Sequence, residues 1–107
     1  MTGDGDTANM ERLFAVIRSR GPAWRDSRAM EQQDDWSEHA AFMDALEHDG
    51  FVVLGGPLGG TSDVLLVVRA KSAEQVLDRL SADPWSRQEL LCVSRVMPWT
   101  LRLGSLP

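Results

Sequence analysis

Few side chains in this sequence can move a proton or hold an ion. There are two histidines, His39 and His48, and one cysteine, Cys92. His39 recurs with Trp36, Met43 and Leu46 at steps of three and four, so on a helix it lies on the stripe that faces the core. Asp83 stands directly before Pro84, where the chain is pushed out of the helical region. A carboxylate beside an imidazole fixes its tautomer and makes it a usable general base or acid near neutral pH. By themselves these residues leave two readings open. Either His39 is an acid/base group oriented by Asp83, or it is a core histidine bonded to a backbone carbonyl while Asp83 caps a turn. Trp36, Met43 and Trp85 would supply apolar walls that exclude water and stack on a planar molecule.

The other candidates are weaker. Arg18 and Arg20 end an apolar run and either pair with a substrate carboxylate or stay solvated. Gly55-Gly56-Pro57-Leu58-Gly59-Gly60 lacks the Gly-Lys-Ser/Thr ending of a phosphate loop, and no helix follows it, so it is no nucleotide cradle. It is a turn leaving a strand, or a backbone that lines the pocket at Gly56 and Pro57 and donates N–H groups to an anion. His39 and His48 are nine residues apart, about 180° around a helix, and cannot share an ion. No metal site and no cofactor is expected. Cys92 reads as a small hydrophobe, and a single cysteine makes neither an internal disulfide nor a zinc site of thiolates. Trp24 and Trp99 read as packing residues, and the acids at 34–35 and at 44, 47 and 49 as a solvated helix face.

The elements that must position these residues follow from pattern and punctuation. Residues 1–10 are small and polar and read as a disordered tail, with a single domain over 11–107. Leu13 to Ile17 is a strand, ended by Gly21-Pro22, and residues 21–33 form a polar loop around Trp24. A helix spans Asp35 to Asp49, with Asp34, Asp35 or Ser37 as its cap and Gly50 as its terminator. Phe51 to Leu54 and Val64 to Val68 are strands, the second apolar on both faces and therefore central. Ser72 with Gln75 is a capping box that opens a second helix, with Val76, Leu77 and Leu80 inward and an end near Asp83. Leu90 to Met97 is a fourth strand, and Trp99 to Leu103 is a candidate fifth.

Strand, helix, strand, strand, helix, strand is the order of a ferredoxin-like α+β sandwich, an antiparallel sheet with two helices on one face. The strands at 13–17, 51–54 and 64–68 nevertheless carry apolar residues on both faces. An uncovered sheet of that kind is an apolar patch that a monomer rarely tolerates. A homodimer packed sheet to sheet would cover it; the alternative is a monomer whose 21–33 loop folds over the open face.

Several stretches, in this order, resemble the YCII-related (YciI-like) domain proteins: Trp36-Ser37-Glu38-His39-Ala40-Ala41-Phe42-Met43-Asp44-Ala45-Leu46, Gly50-Phe51-Val52-Val53-Leu54-Gly55-Gly56-Pro57-Leu58, Ala82-Asp83-Pro84-Trp85 and Pro98-Trp99. The resemblance covers roughly residues 12 to 103. It implies a ferredoxin-like fold paired into a dimeric α/β barrel, and an enzyme centred on a histidine and an aspartate that match His39 and Asp83. Some relatives are lyases or dehydrochlorinases of ring compounds. The expectation is a small-molecule enzyme with His39 and Asp83 as its catalytic pair and Trp36, Gly56, Pro57, Trp85 and Arg18 around the substrate. A non-catalytic ligand-binding or dimeric interaction module of the same fold is the alternative. Sixteen acids against 11 bases, net −5, speak against a nucleic-acid partner. No membrane span and no signal peptide are read, so a cytoplasmic protein is expected.

Overall fold

The computed structural model describes residues 10–107, so the tail expected at 1–10 lies outside them apart from Met10. Strands β1 (Arg12–Arg20), β2 (Val52–Pro57), β3 (Asp63–Ala70) and β4 (Leu91–Pro98) and helices α1 (Trp36–His48), α2 (Ala73–Ser81) and α3 (Pro84–Arg87) follow the chain, with a 3-10 turn at Met30–Gln32. The sheet order is β2-β3-β1-β4 and every neighbouring pair is antiparallel. This is the ferredoxin-like α+β sandwich.

Alternation along β1 decides which residues meet the helices. Phe14, Val16 and Arg18 are buried, while Leu13, Ala15, Ile17 and Ser19 between them are half-buried. Phe14 and Val16 join Leu66 and Val68 of β3, Leu46 of α1 and Val76 and Leu80 of α2 in the main core. Leu13, Ala15 and Ile17 stand opposite Arg69, Val67 and Leu65 on the other face, outside that core.

Local departures from the expected elements have physical causes. β2 continues through Gly55, Gly56 and Pro57, where a turn was expected, because the ladder to Leu66, Leu65 and Val64 continues and Pro57 ends the edge strand. The turn itself is closed by Leu58 N–H donating to the Asp63 carbonyl and by Thr61. Asp35 is the cap residue of α1, but in a left-handed conformation (φ 56°) and with no side-chain cap bond. Gly50 ends that helix at φ 86°, as expected. Ser72 caps α2 by accepting from Gln75 N–H, whereas the Gln75 side chain accepts from Lys71 and not from Ser72, so the box is only half closed. Leu77 points outward, 47% exposed, since Val76 and Leu80 already define the buried stripe. Trp99 to Leu103 is not a strand; beyond Pro98 only Trp99 N–H still donates to β1, at Leu13.

The 21–33 loop does not cover the open sheet face. It folds on the helix side, where Trp24 meets Trp85 edge-on, centroids 5.5 Å apart. Buried Gln33 holds the loop together, accepting from Arg25 N–H and donating to the Arg25 and Arg28 carbonyls. At its entry a Cβ on Gly21 would collide with the Glu89 carbonyl oxygen, so only glycine fits there. No described helix is long and apolar enough to cross a membrane.

Candidate functional site

Asp83 is where four elements converge. The last turn of α2 ends at Ser81, and Pro84 at the first position of α3 suits a helix start because it needs no N–H partner. Asp83 is therefore the cap of α3, and its Oδ1 accepts from Trp85 N–H at 2.9 Å. The rest of the carboxylate faces inward and is fully buried. His39 Nδ1 lies 3.0 Å from Oδ1 and 2.8 Å from Oδ2, and Arg18 Nη1 donates to Oδ2 at 2.9 Å. Capping a turn and orienting a histidine, alternatives in the sequence, are done by one carboxylate.

Arg18 reaches this point because residue 18 has the phase of Phe14 and Val16 and so enters the helix side of the sheet. Its Nη2 donates to Ser86 Oγ at 2.9 Å and to the Leu91 carbonyl at 3.2 Å, and Ser86 Oγ donates to the Leu80 carbonyl. The expected strand-end cation facing a substrate is instead a fully buried guanidinium behind Asp83. Its Nε, also buried, has no hydrogen-bond partner among the described residues.

Burial on its own would raise the Asp83 carboxyl pKa. The His39 hydrogen bond, the Trp85 N–H and the Arg18 guanidinium outweigh it and hold the group below its ordinary value of 3.8. The carboxylate is thus ionised at neutral pH and only accepts. Nδ1 of His39 therefore donates to it, and in the neutral ring Nε2 is the acceptor nitrogen. Nε2 has no partner among the described residues.

The ring of His39 is 10% exposed, at the wall of a cavity of about 490 Å³ between α1, β2 and the 21–33 loop. The Trp85 indole lies flat on it, and Trp85 Nε1–H donates to the Asp34 carbonyl at 2.7 Å. Trp36, 5.9 Å from His39 and 5.7 Å from Trp85, completes an aromatic wall with Trp24 and Met30. Gly56 and Pro57 form part of the β2 side of the same cavity. A side chain on Gly56 would meet nothing within 4 Å, so space does not demand glycine there.

Sequence reading missed two parts. Ser86 and the buried role of Arg18 depend on α3, a four-residue helix too short to show a period. Trp24, expected only to pack, packs on Trp85 and also lines the cavity, with the Arg20 guanidinium 4.7 Å above its ring. Among the described residues no group of three His, Cys, Asp or Glu is placed to hold a metal ion.

No family model and no curated protein matches the chain. Among solved structures it is similar to 5-chloro-2-hydroxyhydroquinone dehydrochlorinase (TftG) from Burkholderia phenoliruptrix AC1100, in complex with 2,5-dihydroxybenzoquinone. The TM-score is 0.59 at 20% identity, over 86% of this chain and 95% of that one. At that identity the likeness establishes a shared fold, one that in TftG carries an enzyme.

Proposed function

We propose that this chain is a small-molecule enzyme of the YCII-related type in which His39 is the general acid/base and Asp83 its orienting carboxylate. The observation that carries the reading is the bare Nε2 of a histidine whose Nδ1 is held by a buried, ionised aspartate at the edge of an aromatic-walled cavity. Nε2 takes a proton from a bound molecule, or returns one, as in a lyase or isomerase step. The half-buried indoles of Trp24 and Trp36 on the cavity wall suit a planar ring, and a ring-compound dehydrochlorinase of the same fold supports that substrate class by analogy. Arg18 acts through Asp83 as a positioning residue. Trp36, Trp85, Gly56 and Pro57 surround the substrate.

The working unit in this reading is a homodimer joined through the open sheet face, where Leu54 is 47% exposed opposite Val67. We take its setting as the cytoplasm, where a lone cysteine stays reduced, with neither nucleic acid nor membrane as partner.

The test is nitrogen NMR of the His39 ring, with added 2,5-dihydroxybenzoquinone, beside turnover of a panel of hydroxylated and chlorinated ring compounds. The expected result is a protonated Nδ1, a bare Nε2 that responds to the ligand, and turnover that falls about a hundredfold or more in His39→Gln. A protonated Nε2, or an Nε2 blind to every ring compound, defeats the acid/base reading. Ligand response with a rate indifferent to His39→Gln makes the protein a binding module.

A further inference from the structure

Arg20 has the phase of Arg18 but is the last residue of β1, opposite Leu91, and its side chain is exposed. Its guanidinium sits over the Trp24 ring at 4.7 Å and lines the same cavity as His39. Among the described residues it has no ion-pair or hydrogen-bond partner, unlike Arg18, Arg28 and Arg79, which all pair with aspartates. The acids of the cavity wall are placed elsewhere. Asp63 is engaged by its neighbour across the ladder, accepting from Ser19 Oγ at 2.7 Å, and forms no ion pair with Arg20. Asp44 and Glu47 lie five and eight residues beyond His39 on α1, about 7 and 12 Å along the helix axis. Among the described residues, the end of the cavity that holds His39 and three tryptophans therefore has one unneutralised cation, Arg20.

From this we infer that Arg20 determines substrate class: the site takes a planar ring bearing an ionised acid group, and Arg20 binds that group. A guanidinium offers two parallel N–H donors to a carboxylate, and the indole beneath keeps the fork in one plane. The anion is held at the cavity mouth, and the ring extends inward toward Trp36 and His39 Nε2. The inference rests on the acid/base reading of the same site and adds the charge of the substrate to it.

The experiment measures binding of benzoate and of its neutral isostere benzamide to the full chain by calorimetry, in wild type, Arg20→Gln and Arg20→Lys, each checked for unchanged thermal unfolding. Wild type is expected to prefer benzoate by about tenfold. Arg20→Gln should abolish the preference by weakening benzoate alone, and Arg20→Lys should restore only part of it, because an ammonium lacks the planar fork. Equal binding of the two probes, no binding of either, or a preference that survives Arg20→Gln overturns the inference. The acid/base reading fails on a separate readout, the His39 tautomer and turnover. A chain that discriminates through Arg20 without turning anything over is a receptor for ring acids.

Discussion

The imidazole of His39 lies flat on the indole of Trp85, with ring centroids 3.8 Å apart and planes within 5° of parallel. Asp83 holds His39 in the plane of its ring through Nδ1, and the same carboxylate holds Trp85 through its backbone N–H. Trp85 is further fixed by its indole N–H on the Asp34 carbonyl and by the edge contact with Trp24. Rotation and tilt of the histidine are therefore both constrained, and its free nitrogen has a set direction. This is the preorganisation that proton transfer to a bound molecule requires.

Trp85→Leu tests how much of that constraint is the stack. Trp85 is 1% exposed, and truncating such a residue costs about 3–5 kcal/mol when reduced to alanine, somewhat less for leucine. The melting temperature should fall by about 10 °C, and the His39 ring protons, shielded by the indole face in the wild type, should move downfield. If the protons keep their positions, the stack does not exist in solution.

The pH dependence of stability follows from Asp83. Its folded pKa lies below the ordinary value of 3.8, so its contribution is complete above that value and is lost as pH falls through the lower, folded one. Wild type should lose stability with acid in that window, measured as urea midpoints over a pH series. Asp83→Asn should lack this component of the acid loss. It should also be destabilised at neutral pH by about 3 kcal/mol, because buried Arg18 then has no counter-charge. Parallel acid profiles for the two proteins would show that the carboxylate is not held by these partners.

Arg18→Met examines the other half of the pair. The substitution keeps apolar volume in a fully buried site but leaves the Asp83 carboxylate with only His39 and the Trp85 N–H. Breaking a buried pair on one side costs about 3–5 kcal/mol. Guanidinium unfolding should show a loss of that size, and any turnover should fall with it even though Arg18 touches no substrate. A loss under about 1 kcal/mol would mean that Arg18 is dispensable to the fold and to Asp83.

Much of this arrangement is legible in the sequence where a pattern repeats over enough residues. The stripe Trp36, His39, Met43, Leu46 placed His39 on the inner side of α1, and the doubly apolar run 64–68 placed β3 inside the sheet. Arg18 illustrates what is not legible. Its alternation with Phe14 and Val16 already assigns it to the buried face, yet a charge there reads as a strand end until a buried partner is known, and that partner is 65 residues away. α3 fails for a different reason, since four residues carry no period and only Asp83-Pro84, a cap before a helix-starting proline, signals it. The Gly55-Gly56-Pro57 stretch has turn composition and strand conformation because pairing with β3 overrides local preference.

The face of the sheet that the helices leave bare yields the prediction about assembly. Half-buried Leu13, Ala15 and Ile17 of β1 and Leu65 of β3, with exposed Leu54 of β2, line it around buried Val67, and none belongs to the core clusters formed with the helices. The 21–33 loop packs around Trp85 and so leaves this face free, and a second copy offers the same apolar surface by two-fold symmetry. Light scattering on a sizing column should give twice the monomer mass for wild type. Ile17→Lys places a charge at the middle of β1 on that face, where a monomer can hydrate it and a packed dimer cannot. It should elute at the monomer mass with an unchanged circular dichroism spectrum. A wild type that is monomeric at micromolar concentration would rule out the sheet-to-sheet dimer, and a dimer that tolerates Ile17→Lys would place the interface on another surface.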